Sequence, residues 1–252
     1  MTRSRTPYDI LGPATVPVPG VTTPSIPGLG LLASPLPSTI ARAVRLRVRF
    51  SDPGRCSGRP VDHHVITDLS GSLGGNGAAG NDPAGLRHAA LLRAGEDVAR
   101  VCRCGHERLT VWSFDLSSPL DVGPVTLNRR GITALADALN DPNVGWGIST
   151  LGPALAAARH AADAAPGRCT LTVMSDYLLT DVPYIIDELA AFPADSIHAI
   201  VLTAPVPDAL GAHPHIHVTQ ANWDDDPATV AHAIHGEFIR YRTHVTPRTQ
   251  RR

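Results

Sequence analysis

The sequence predicts an α/β domain with a doubly wound, mostly parallel central sheet and helices on both faces, and three observations carry that expectation. Short apolar runs alternate with amphipathic helical segments through most of the chain, the rhythm of repeated strand-helix units. Two of those runs, residues 65–67 and 171–174, end in carboxylate-bearing turns, and sheets of this kind place their sites at the carboxyl ends of strands. At 252 residues the chain is long enough to bury one large core and still leave extensions.

Taken in order, residues 1–40 carry eight prolines with Gly, Ser and Thr between them, which reads as a polyproline-like extended arm or linker without regular structure. Its apolar residues, such as Ile26 and those at 29–32, offer a surface for docking. The domain proper is expected over 41–244, followed by a basic tail at 245–252. From 42 to 50 strict alternation sets Val44, Leu46, Val48 and Phe50 against Arg45, Arg47 and Arg49, the signature of a half-buried strand with a solvated Arg edge. Leu86, Ala90, Ala94, Val98 and Val101 share one helical face, and 109–114 reads as the next buried strand. A short edge strand is expected at 125–127 and a short helix at 133–139. Leu155, Ala158 and Ala162 give a third helix a small-residue face that can approach a sheet closely. Residues 169–175 form a strand, after which Asp181 and Pro183 open a helix bearing Ile185, Ile186, Leu189 and Phe192. Strands at 197–202 and 216–218 follow. Asp226 caps and Pro227 begins the last helix, with Val230, Ile234, Phe238 and Tyr241 inward.

Composition narrows the function classes. Net charge is −1, so no global field attracts nucleic acid or membrane. All 22 basic residues are Arg, which suggests a compositional bias more than a function. No apolar run approaches the roughly twenty residues of a membrane-spanning helix. Arg3 and Arg5 are followed by prolines rather than a secretory apolar core, so a cytoplasmic location is the expectation. Cys56, Cys102, Cys104 and Cys169 suggest no disulfide framework in a chain of this size. Cys102, Cys104 and His106 have poor spacing for zinc, and a helix end with a turn is the simpler reading. His213, His215 and His217 alternate beside a strand but lack supporting ligands, and read as solvated edge histidines. The run of Arg240, Arg242, Arg248, Arg251 and Arg252 reads as a solvated tail.

The chemistry is concentrated at 65–72, where an apolar strand breaks into Asp68, Ser70 and Ser72 around Gly71. One carboxylate and two hydroxyls at alternate positions offer the oxygen ligands that Mg²⁺ prefers. A second segment, 147–155, puts Ser149 and Thr150 just ahead of an Ala-rich helix, and a third, 171–176, ends a strand in Asp176. In this order and context the three segments resemble the metal-ion-dependent adhesion site of von Willebrand factor A domains, and the resemblance covers about 61–241. It implies a Mg²⁺ site, open also to Mn²⁺, at Asp68, Ser70, Ser72, Asp176 and a middle hydroxyl. Spacing points to Ser149 for that hydroxyl, and the family's usual side chain points to Thr150. Tyr177 stands where the family commonly has glycine, which would narrow the approach to the ion. The Gly-rich stretch 73–83 departs from the family, in which a helix starts almost at once, and reads as a loop beside the site.

The resemblance further implies a bacterial intracellular module that recruits a protein partner through an Asp or Glu completing the ion's coordination, with an AAA+ ATPase as one such partner. Enzymatic function is not expected. A Mg²⁺-dependent phosphoryl-transfer enzyme would need an Asp two residues after the first, where Ser70 stands, and the nucleophile elbow Gly-x-Ser-x-Gly is missing.

Overall fold

Eight consecutive buried residues make β1 (Val61–Asp68), one of the two middle strands of a six-stranded sheet. It pairs in parallel with β2 (Glu107–Phe114) on one side and β4 (Arg168–Ser175) on the other. β5 (Ser196–Leu202) and β6 (Ile216–Ala221) extend the parallel sheet beyond β4, and β3 (Val122–Thr126) closes the opposite edge antiparallel to β2. This computed structural model describes residues 46–70, 73, 86–102, 104–114, 121–139, 149–182, 184–222 and 224–243. The Pro-rich arm, Arg45, Ser72, the glycine stretch from 74, Pro183 and the terminal arginines from Arg248 lie outside them.

Helices clothe both faces, as the strand-helix rhythm requires. α1 (Arg87–Val101), α2 (Arg129–Leu139) and a last helix, Ala228–Ile239, cover one face, where Val65, Val111, Met174 and Ile200 meet Ala90, Ala94, Leu135 and Ile234. α3 (Gly152–Asp163), α4 (Tyr184–Ala190) and the short α5 (Asp208–Gly211) cover the other. There Ile66, Val173, Ala199 and Val201 pack on Leu155, Ala158, Leu189 and Leu210. The last helix, α6, starts one residue later than expected, with Pro227 at its N-cap, and Asp226 Oδ1 accepts from the Ala228 amide at 2.9 Å.

β1 is longer than its apolar run because its first half is polar but partnered. Asp62 receives two hydrogen bonds from the Arg108 guanidinium at 2.6 and 2.8 Å, His63 Nδ1 lies 2.9 Å from Thr170 Oγ1, and Trp112 Nε1 donates to His64 Nδ1 at 3.1 Å. Partnering of this kind lowers the desolvation penalty of polar groups inside a sheet, although His63 Nε2 and His64 Nε2 stay buried without a hydrogen-bond partner among the described residues.

Five further expectations are corrected. Residues 46–50 alternate in burial as predicted, but they form no strand. They cross the helical layer as a strap: Phe50 stacks on His235 with ring centroids 4.3 Å apart, and Arg93 donates to the Val48 carbonyl at 3.3 Å. Val101 is exposed at the end of α1, because the chain leaves the helix at Cys102 with an extended backbone. Leu73 is a buried core residue rather than loop, and its amide donates to the Ser70 carbonyl at 3.1 Å. Arg242 is buried, not part of a solvated tail, because Glu107 at the start of β2 neutralises it inside the protein. Cys56 and Cys104 are joined in a disulfide, although 48 residues separate them, because the strap returns past the loop before β2.

Candidate functional site

At the carboxyl end of β1, Asp68 is fully buried and held on both oxygens. The Ser70 amide donates to Oδ1 at 2.8 Å, the turn closing back on its own carboxylate, and Ser175 Oγ donates to Oδ2 at 2.6 Å. Ser175 ends β4, which the parallel register lays beside β1, with Thr67 opposite Met174. The next residue is Asp176, 3 % exposed, whose Oδ1 accepts from the Leu178 amide at 3.0 Å. Sheet register therefore brings together two acidic residues more than a hundred positions apart.

Their electrostatics follow from that placement. Burial pushes the Asp68 carboxyl above its ordinary range, the hydrogen bonds from Ser175 and Ser70 oppose the shift, and the negative charge of Asp176 adds to it. A buried carboxylate pair of like charge is costly unless a cation or proton offsets it. Nearby oxygens could hold such a cation, since Ser70 is buried beside Asp68.

The third segment arrives ahead of α3. Thr180, in the turn after β4, donates through its amide and hydroxyl to the Ser149 carbonyl at 2.8 and 3.1 Å, and its Oγ1 lies 3.0 Å from Thr150 Oγ1. The Thr150 hydroxyl is thereby engaged, whereas that of Ser149 makes no hydrogen bond among the described residues. Asp181 fastens the same two segments, its Oδ2 accepting from the Gly152 amide at 2.8 Å. Asp181 opens α4 as expected, its carbonyl accepting from the Ile185 amide at 3.3 Å, and its side chain also ties down the start of α3. Its Oδ1 is buried without a hydrogen-bond partner among the described residues.

Tyr177 occupies the glycine position with φ 57°, a left-handed backbone that L side chains seldom adopt. Tyr177 is 4 % exposed, turned into the core beneath α3 and α4, and its hydroxyl has no hydrogen-bond partner among the described residues. Beyond it in the chain, Leu178, Val182 and Tyr184 are exposed large apolar side chains.

Of the residues expected to hold a metal, Asp68, Ser70 and Asp176 cluster at the ends of β1 and β4, Ser149 and Thr150 sit on a loop bonded to the segment that follows Asp176, and Ser72 lies outside the described residues. Sequence reasoning missed Ser175, Thr180 and Asp181. The signal for Ser175 was its place directly before Asp176 at a strand end, and the other two resemble ordinary turn residues. His213, His215 and His217 belong to no cluster of metal-ligand donors among the described residues. Among the described residues, the one group of three or more His, Cys, Asp or Glu donors within mutual reach is Cys56, Cys102 and Cys104.

No protein-family model matches the chain, and no curated protein matches it in sequence. Solved structures share its fold. The pilus adhesin SpaC from Lactobacillus rhamnosus GG superposes with a TM-score of 0.59 at 13 % identity over 75 % of this chain and 31 % of its own. A von Willebrand factor type A structure from Catenulispora acidiphila gives 0.53 at 16 % identity, covering 73 % of this chain and 43 % of that one. The D319A mutant of the PilB minor pilin from Streptococcus sanguinis gives 0.51 at 11 % identity over 76 % and 61 %. The chain thus spans less than two thirds of each, and what is shared is the von Willebrand A-like α/β fold.

Proposed function

We propose that the chain is a cation-dependent protein-interaction module, an adaptor or scaffold in which Asp68, Ser70, Ser72, Ser149 and Asp176 hold one Mg²⁺ or Mn²⁺ and an Asp or Glu of a partner protein completes the coordination. The observation that carries it is the buried juxtaposition of Asp68 and Asp176 at the carboxyl ends of β1 and β4. The donor set fits a hard cation, being entirely oxygen and carrying two carboxylates. When bound, such an ion supplies a coordination position open to an outside oxygen. The chain's own residues do the arranging. Ser175 and the Ser70 amide fix the Asp68 carboxylate, and Thr180 anchors the loop so that the Ser149 hydroxyl stays available. Leu178, Val182 and Tyr184 offer a partner exposed apolar contact in addition to the charged centre, the combination interfaces use for affinity and specificity.

Recruitment suits the site better than turnover. Ser70 cannot act as the acid that phosphoryl transfer would ask of that position. The fold's occurrence in a pilus adhesin supports the adhesive reading. Calorimetric titration with Mn²⁺ tests the site: the native chain should bind one ion, and Asp68→Ala should lose binding while keeping its circular dichroism and melting behaviour. Equal affinity in both would falsify the assignment. For the partner, capture with Mg²⁺ and again with chelator should differ, and removing the partner's carboxylate should cost about 2–5 kcal/mol, roughly thirty-fold or more in affinity. A complex that survives chelation at full strength removes the metal from the interface.

A further inference from the structure

The three sulfurs of Cys56, Cys102 and Cys104 gather at the opposite end of the sheet, just before Glu107 opens β2, and all lie within 4.8 Å of one another. Each comes from a different local context: Cys56 from the strap, Cys102 from the end of α1, and Cys104 from the following turn. Cys102 is buried and keeps a free thiol, with its Sγ 3.4 Å from Cys104 Sγ. A tetrahedral zinc with Zn–S of about 2.3 Å holds its sulfurs about 3.8 Å apart, so the spacing between Cys102 and Cys104 is close to that of a common zinc shell.

The turn itself is built to support a thiolate. Gly105 has φ +70°, and no atom lies within 4 Å of the place a Cβ would take, so the conformation rather than crowding selects glycine. That left-handed step directs the His106 amide back to Cys104 Sγ at 3.5 Å. An N–H donor aimed at sulfur is the kind of outer contact that stabilises a metal-bound thiolate. His106 is exposed, leaving its imidazole free to turn toward the sulfurs.

We propose that the reduced chain holds one zinc ion, or another thiophilic divalent cation, through Cys56, Cys102, Cys104 and His106, a site separate from the oxygen cluster around Asp68. The Cys56–Cys104 disulfide is its oxidised, metal-free form. Opening that bond takes two electrons and two protons from a dithiol, which leaves as its own disulfide, and yields thiols at Cys56 and Cys104. Zinc then displaces three thiol protons, one from each cysteine. The fourth cysteine is unsuited to join them: Cys169 is buried on β4, where burial pushes its thiol up to about 12. Held by ligands from the strap, the end of α1 and the turn before β2, the cation would fasten the two segments that the disulfide joins and the end of α1 as well, under reducing conditions where the disulfide cannot.

The test is to reduce the full chain, remove the reductant anaerobically, and titrate it with Co²⁺ and then Zn²⁺. The expected result is a sulfur-to-cobalt charge-transfer band at one equivalent, with tetrahedral visible bands, both abolished by one equivalent of Zn²⁺. The oxygen site cannot produce that band, so its occupancy does not confuse the result. Cys56→Ser and Cys102→Ser should each weaken Co²⁺ binding by about a hundred-fold or more, His106→Ala by about ten-fold or more, and Cys169→Ser not at all. Should a variant misfold, alkylation of the native reduced chain decides: Zn²⁺ should protect Cys56, Cys102 and Cys104 together. Absence of the charge-transfer band, its full survival in Cys102→Ser, or no selective protection of the three cysteines would overturn the site. Unchanged affinity in His106→Ala would overturn the four-ligand shell.

Discussion

The proposed cation site at the carboxyl end of the sheet turns on single hydroxyls. Thr150 spends its hydroxyl on Thr180, and Ser149 does not, so Ser149→Ala should weaken Mn²⁺ binding by about ten-fold or more, whereas Thr150→Val should have the smaller effect. The reverse ranking in the same titration would move the ligand by one position. Tyr177 poses a second residue-scale question, because its buried hydroxyl is unpaired and an unmade hydrogen bond costs about 1–3 kcal/mol. Tyr177→Phe should therefore raise the denaturation midpoint, and a lower midpoint would mean that the hydroxyl has a partner in solution. The acidic residues and Ser70 were legible in sequence because carboxylates and hydroxyls at alternate positions of a strand-end turn form a pattern. Ser175, Thr180 and Asp181 were not: Ser175 stands directly before Asp176 at a strand end, but that place does not say which neighbouring strand its hydroxyl reaches, and the other two resemble ordinary turn residues. Only the register of β1 against β4 sets Ser175 on Asp68.

At the scale of elements, patterns of burial were easier to read than the partners that cause them. The alternation at 46–50 is real, with Val48 buried and Arg47 and Arg49 exposed, but a period of two says only that one side is covered. Here helices α1 and α6 do the covering, and the backbone forms no ladder. Arg242 shows the same limit, since a terminal cluster of arginines looks solvated until Glu107 is found beneath one of them. Breaking this buried pair should be expensive. Arg242→Ala leaves the Glu107 charge unpaired and should cost about 3–5 kcal/mol, while joint replacement of both by Met should cost far less. Urea unfolding of the two variants checks this, and similar losses in both would show that the pair acts through packing.

For the molecule as a whole, the sheet and its two helical layers were legible because strand and helix periods repeat along the chain, and the disulfide was not, because its cysteines meet only through tertiary folding. Burial, with a further contribution from Arg242, lowers the His63 pKa to about 3, so the ring is neutral in the fold and takes up a proton more readily once unfolded. Its contribution is complete above the unfolded value near 6.5 and is lost as pH falls toward 3, by up to about 1.4 kcal/mol per pH unit. Burial lowers the His88 pKa to about 3 as well, so melts at pH 7, 6 and 5 should show both contributions, and His63→Asn should reduce the slope without abolishing it. An unchanged slope would assign the acid sensitivity elsewhere. The strap and the end of the domain also meet, Arg55 and Thr243 exchanging backbone hydrogen bonds of 2.9 and 3.0 Å close to the start of β2, opposite the Asp68 end of β1. Tension between a ligand gripped at Asp68 and a tether at those ends would run along the strands. The ladders joining β1 to β2 and β4 would then be loaded in shear, many bonds at once, instead of being peeled one by one, so the fold should bear pulling in this direction better than across it.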